Sequence, residues 1–233
     1  MGYLYDTHFH LDLQKNKSEA IREIEEKQIY TIAVTNLPDL YRKESIEIAS
    51  KYIRFALGFH PELLHLYKKQ IPLMWEFLSE ARYIGEVGLD FVDTTHKEEQ
   101  IAFFSELVER CRYDSSKIIT IHSRCAVKRV LEIVGDNFRF KPILHWFTGT
   151  KEELHYAIER GFFFSVNGVM MTSKKFKSFL TSIPKERLLL ETDSPFTHFK
   201  DTHSDELSRV ALALEEEKEG INLMNNFRYL LSQ

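Results

Sequence analysis

YLYDTHFHLD (residues 3–12) gives way after a short gap to KSEAIREIEEK (17–27), an apolar and aromatic run followed by a charged, amphipathic one. The first has the length and residue types of a strand; the second repeats its apolar residues at helical spacing. The same step recurs along the chain. Strands are predicted over 4–8, 30–35, 55–59, 83–87, 118–121, 142–145, 162–166 and 188–191. Helices are predicted over 17–27, 41–52, 71–81, 98–113, 126–134, 151–160 and 174–182, with two more over 204–218 and 223–231. In the fourth, Ile101, Phe104, Leu107 and Val108 fall on one face. Strands that alternate with helices pair in parallel. Eight such repeats in 233 residues predict a (β/α)8 TIM barrel, read as one domain over 1–233. An open doubly wound sheet is the alternative.

Composition narrows the setting. Apolar residues make up 43% of the chain, enough for a sizeable core, and nine Gly and six Pro with no low-complexity tract argue against disorder. Cys111 and Cys125 form no disulfide framework or ligand spacing, which points to a reducing, cytoplasmic setting. MGYLYDTHFH carries no basic region followed by an apolar run, so no signal peptide is expected. No stretch approaches the roughly 20 apolar residues that span a bilayer, so no membrane partner is expected. The net charge of −4 excludes a protein that grips long duplex DNA by a broad basic surface.

Barrel enzymes carry their chemistry where strands end. The predicted ends supply His8 and His10, His60 (GFHP), Glu86 and Asp90 (GEVGLD), His122 and Arg124 (IHSR), His145 (LHWFTG), and Glu191 and Asp193 (LETDSP). Alternate residues of a strand share a face, so Asp6, His8 and His10 could converge; a solvated edge strand would show the same pattern. Five of the ten histidines sit at these ends. His65, His96, His155, His198 and His203 lie in helices or loops and are read as solvated. So many titratable groups on one rim would repel and desolvate one another unless a cation compensates. Imidazole with carboxylate suits zinc, magnesium or manganese. Six ligands exceed what one tetrahedral ion needs, whereas two ions sharing a carboxylate would use them all and leave room for water and substrate.

DTHFHLD, GFHP, GEVGLD, IHSR, LHWFTG and RLLLETDSP, in this order over about residues 5–196, resemble the TatD family of metal-dependent deoxyribonucleases. The resemblance implies an amidohydrolase-like barrel that hydrolyses DNA phosphodiesters, often from 3′ ends, with single-stranded DNA ends as the expected partner. It implies two divalent metal ions held by His8, His10, Glu86, His122, His145 and Asp193, with Glu86 bridging. Glu86 and Asp193 then serve catalysis, and His60 and Arg124 lie beside the ions, suited to a phosphate oxygen. The segment FTHFKDTHSDELSR is short and lacks the family's Arg-Asn-Pro element, and NNFRYLL keeps its C-terminal pattern only loosely. This trimmed form is similar to TatD-like nucleases of bacterial antiviral defence operons, which would bring defence-system protein partners.

Smaller features have two readings each. In TSKKFKSF (172–179), Lys174, Lys175 and Lys177 beside Phe176 and Phe179 suit a single strand, or a solvated helix start with two core-facing rings. Trp146 could stack on a base or close the rim. Asp90 and Glu191 could orient histidines, or Asp90 could cap the following segment. A metal-dependent C–N or ester hydrolase is the rival function on such a barrel; Glu86, where many amidohydrolases carry Lys, favours the nuclease. A barrel that has lost activity is disfavoured by its intact set of ligands.

Overall fold

β-Branched, leucine and phenylalanine residues crowd eight short segments, and each becomes a strand that is largely buried, as parallel strands between helices are, with Arg54 and Phe55 half-buried in the third. The structure, a computed structural model, describes residues 4–197 and 202–232. The strands are β1 (Tyr5–Phe9), β2 (Tyr30–Val34), β3 (Ile53–Ala56), β4 (Tyr83–Gly88), β5 (Ile118–His122), β6 (Lys141–His145), β7 (Phe163–Val166) and β8 (Leu188–Leu190). The helices are α1 (Lys17–Lys27), α2 (Pro38–Glu47), α3 (Ile71–Leu78), α4 (Lys97–Cys111), α5 (Val127–Val134), α6 (Lys151–Glu159), α7 (Gly168–Thr172), α8 (Lys174–Leu180), α9 (His203–Glu217) and α10 (Leu223–Leu231). Among the described residues no helix is long and apolar enough to cross a membrane.

All strand pairs are parallel, in the orders β1-β2-β3 and β4-β5-β6-β7-β8. Two seams close these sheets into the (β/α)8 barrel. At the first, Leu57 N donates to Tyr83 O at 2.9 Å and Gly85 N to Leu57 O at 2.9 Å. At the second, Thr7 Oγ1 donates to Leu190 O at 2.8 Å, and Asp193 N to His8 O at 2.9 Å. Helix α10 covers the opposite end. Phe227 stacks on Tyr5 with ring centroids 4.2 Å apart, Lys141 Nζ donates to Leu230 O, and Asn226 Nδ2 donates to Leu188 O. These partners all lie where strands begin, so the other mouth is the open one.

The structure departs from the predicted elements where local chemistry overrides periodicity. Helix α2 covers 38–47 rather than 41–52. Pro38 starts it, since a proline needs no N–H there, and Ile48 is already extended. Ser50 then organises the turn into β3 by accepting from Tyr52 N and Ile53 N. Strand β3 lies at 53–56 rather than 55–59. Its continuation leaves the ladder because Gly58 N bonds Thr35 Oγ1, and a Cβ there would stand 1.6 Å from Thr35 O. Helix α7 is a short turn not predicted from the sequence, nucleated by the Asn167 side chain on Met170 N.

Two glycines in β4 set the approach of β5. Gly88 pairs with His122 at φ +140°, and a Cβ would lie 2.1 Å from His122 O. Gly88→Ala is expected to lower unfolding free energy by about 3 kcal/mol or more, through backbone strain plus overpacking. Gly135, at φ +67° and ψ −151° with its nearest atom 4.0 Å away, carries the backbone term without the overpacking, and Gly135→Ala should cost about 1–3 kcal/mol, less than Gly88→Ala. Urea titration of both variants checks the difference.

Candidate metal centre

The open mouth collects its side chains from six strand ends, those of β1, β3, β4, β5, β6 and β8. Strand β1 ends at His8, Phe9 and the following His10, and its register slips between Asp6 and Phe9. That slip separates Asp6 from the two histidines. Asp6 is fully buried and faces away: its Oδ1 accepts from His8 N (2.9 Å) and Thr192 N (3.2 Å), and its Oδ2 from Thr192 Oγ1 (2.6 Å). His203 Nε2 lies 2.9 Å from the same Oδ2, and the His203 ring stacks on Phe9 at 4.5 Å. His203 is therefore buried and bonded, not solvated as the sequence suggested. His155 is exposed, and His198 lies outside the described residues. His65 and His96 are not simply solvated either; their rings stack at 4.1 Å.

Glu86, at 2% exposure, stands at the centre. Its Oε1 lies 2.5 Å from His122 Nδ1 and 3.0 Å from His145 Nε2. Its Oε2 lies 3.3 Å from His10 Nε2, and 3.7 Å from both His8 Nε2 and His60 Nε2. Asp193 Oδ1 joins that second side, 3.3 Å from His10 Nε2 and 3.6 Å from His8 Nε2. Three groups could each hold an ion: His8, His10 and Asp193; His60, Glu86 and His122; and His8, His145 and Glu191. The sequence placed His60 beside the ions and Glu191 behind a histidine; here both also stand within reach as donors.

Supporting side chains fix these rings. His8 Nδ1 meets Thr120 Oγ1 at 2.9 Å, and its ring stacks on His145 at 3.9 Å. Asp90 does both things the sequence allowed, meeting His122 Nε2 at 2.8 Å and accepting from Val92 N at 2.9 Å. Glu191 accepts from Asn167 Nδ2 (2.8 Å), from Trp146 N (3.2 Å) and from the Ser165 hydroxyl, which leaves it 3.7 Å from His145 Nδ1. Arg124 is exposed beside Asp90, whose carboxyl it helps to lower, and belongs to none of the three groups.

The electrostatics call for positive charge. Burial works against ionising Glu86, yet the surrounding histidines hold its carboxyl well below the usual range. Burial also works against protonating His10, but Asp193 and Glu86 outweigh it and hold the imidazole at about 9. His145 is raised the same way against its own burial, by Glu86 and Glu191, and His122 by Glu86 and Asp90. Burial wins at His60, pushed down to about 4, and at His8, lowered further by His145. His8 Nε2 and His145 Nδ1 are buried with no hydrogen-bond partner among the described residues, and Asp193 Oδ1 meets only the imidazoles of His10 and His8, at 3.3 and 3.6 Å. Buried donors and acceptors are seldom left unpaired, and imidazole nitrogens with carboxylate oxygens are the donor set of a divalent ion. The residues fit a metal.

Backbone strain marks the same rim. Trp146 (φ 41°) and Asp193 (φ 53°) adopt left-handed conformations that cost about 1–3 kcal/mol each in a non-glycine residue. Trp146 is held by its bond to Glu191 and Asp193 by its bond to His8 O.

Residues 5–220 match the model of the TatD-related DNase family. The chain belongs to this family of metal-dependent hydrolases. It is 27% identical to an uncharacterised metal-dependent hydrolase of Methanocaldococcus jannaschii, over 91% of this chain and 86% of that one. It is 28% identical to the 3′-5′ ssDNA/RNA exonuclease TatD of Edwardsiella piscicida, over 76% and 72% respectively. An uncharacterised amidohydrolase from Saccharomyces cerevisiae shares the fold, with a TM-score of 0.73 at 18% identity and 98% and 97% coverage.

The Asp6–His203 tie gives this TatD-family chain a link from α9 to its metal-facing strand that no sequence spacing announces. His203→Ala leaves a buried carboxylate short of a donor and should lower stability by about 2 kcal/mol. Looser support of His8 and Asp193 should weaken divalent-metal binding about tenfold. His155→Ala should change neither. Chelator competition and urea titration measure the two effects.

Proposed function

We propose that this hydrolase cleaves DNA phosphodiester bonds with two divalent ions, trimming single-stranded DNA from its 3′ end. The observation that carries the reading is the division of labour at Glu86. One oxygen faces His122 and His145, the other faces His8, His10 and His60, and Asp193 adds a carboxylate to the second side. A carboxylate placed between two groups of imidazoles is suited to bridge two ions. His8, His10 and Asp193 would hold one and His122 and His145 the other, with Glu86 shared. Zinc, magnesium or manganese in such a pair activates a water and stabilises the leaving oxygen of a phosphodiester. His60, half-buried and largely neutral, can donate a hydrogen bond to a phosphate oxygen. Arg124, exposed on the rim, can meet another as a charged donor.

Single-stranded ends follow from shape and charge. The net charge of −4 leaves no broad cationic surface for a duplex, whereas a barrel mouth admits one strand end. The 3′-5′ direction is the one named for the Edwardsiella relative.

Glu86→Gln is expected to keep the fold, bind at least one ion fewer per chain by elemental analysis, and lose about 100-fold or more in hydrolysis. Near-normal turnover in this variant would exclude the shared carboxylate. A 3′-labelled and a 5′-labelled single strand digested side by side should release the 3′ label first, with a shallow salt dependence. Cutting closed circular strands as fast as linear ones would exclude trimming from an end. Hydrolysis of small amides or lactones with no cut in DNA would assign the chain to C–N or ester chemistry instead.

A further inference from the structure

Two clefts flank Thr148 on the turn that follows β6. The larger, about 520 Å³, mixes Lys128 and Arg129 with Glu132 and Glu153 and offers a single aromatic ring, Phe91. The smaller, about 260 Å³, is of another kind: Trp146, Phe147, Phe176 and Phe179 line it, with Lys175 on its wall. Trp146 follows His145 directly, and its backbone N–H donates to Glu191 Oε1 at 3.2 Å, which anchors the main chain from which the ring projects. Phe176 and Phe179 are buried at 3% and 9% exposure and cannot present their faces to a strand. They form the wall, and the half-buried Trp146 is the ring within reach. Lys177 is turned away to Glu217 at 3.0 Å, whereas Lys175 Nζ donates to Thr148 O at 3.0 Å and lies 5.7 Å from the Phe179 ring. The cleft thus joins flat aromatic surface to one ammonium group, next to the ligand-bearing end of β6.

We infer that this cleft receives the nucleobase adjoining the scissile phosphate of a single-stranded nucleic acid, stacked on Trp146, with Lys175 meeting the flanking phosphate. The inference rests on the phosphodiesterase reading and goes beyond it by locating the base. A nucleobase is flat, polarisable and polar at its edge, and its backbone is anionic; aromatic ring and ammonium side by side match both. Stacking of this kind tolerates any base, because every base has a π-face, so the cleft grips a strand without reading sequence.

The protein has two tryptophans, and Trp75 lies on α3, stacked on Phe103 at 5.1 Å. A Trp75→Phe protein therefore reports Trp146 alone. With metal-loaded protein and short phosphorothioate single strands of DNA, Trp146 fluorescence should be quenched by a base-bearing strand. A strand abasic at the terminal positions should leave it unquenched and bind about tenfold more weakly. Trp146→Leu should raise KM for base-bearing DNA about tenfold, hold kcat within about twofold, and erase the preference over abasic strands, and Trp146→Phe should restore most of it. If the wild-type chain cleaves base-bearing and abasic strands with equal KM, or Trp146 fluorescence ignores both, the base site is overturned while the phosphodiesterase reading stands. If no strand is bound or cut, both fall.

Discussion

The site is organised around one buried carboxylate. Glu86 sits among five imidazoles, with its two oxygens addressed to different sets of them. A carboxylate so far from water is costly unless its charge is compensated. With protein atoms alone, compensation comes as protons drawn onto His10, His122 and His145. A divalent ion held by these residues would supply the same charge at the same place and displace those protons. The neighbours whose burial disfavours a proton, His60 and His8, and the unbonded His8 Nε2 would then also acquire a purpose. Rings that stack and would repel when protonated, such as His8 on His145 at 3.9 Å, would be held together by an ion bound between them and the carboxylates.

Much of this was legible in the sequence, for a physical reason. Strand and helix periods differ, so alternating elements show themselves, and the eight strands fall within a few residues of their predicted places. Residues at strand ends inherit a location from the barrel, which is why the histidines and carboxylates there could be read as one rim, while the choice of His8, His10, Glu86, His122, His145 and Asp193 among them came from the resemblance to the TatD family. The departures arise where a side chain competes with the backbone period. Ser50 and Pro38 displace α2, and Gly58 ends β3 early. His203 was illegible because its partner, Asp6, is remote in sequence and its helix otherwise has an ordinary polar start capped by Thr202. Long-range pairing of two polar residues leaves no period to detect.

Acidic net charge and a polyanionic substrate are not in conflict when the contact is small. On the proposed reading the cations that matter for a phosphodiester would be local: divalent metal at the centre, Arg124 on the rim, and Lys175 beside Trp146. A protein that takes one strand end neutralises few phosphates, so it needs neither a basic surface nor the steep salt dependence such a surface brings. Aromatic stacking on Trp146, as inferred above, would then supply affinity that charge does not.

Closing the barrel and building the site are one event in this chain. Strand β8 spans only Leu188–Leu190, too short for a full ladder with β1. Their seam is bridged low down by side chains, Thr7 Oγ1 to Leu190 O and the Tyr5 hydroxyl accepting from Leu190 N. Higher up it is bridged by Asp193 N to His8 O and His10 N to Ser194 O. Those last two bonds belong to the residues that face the metal site, and Asp6 straddles the same seam between His8 N and Thr192. The left-handed turn at Asp193 that swings its carboxylate toward His8 and His10 is what lets its N–H reach across. Loosening the seam must therefore move Asp193 relative to β1. A bound cation pulling Asp193 against His8 and His10 in turn tightens the weakest joint of the barrel, so metal binding and barrel closure reinforce each other.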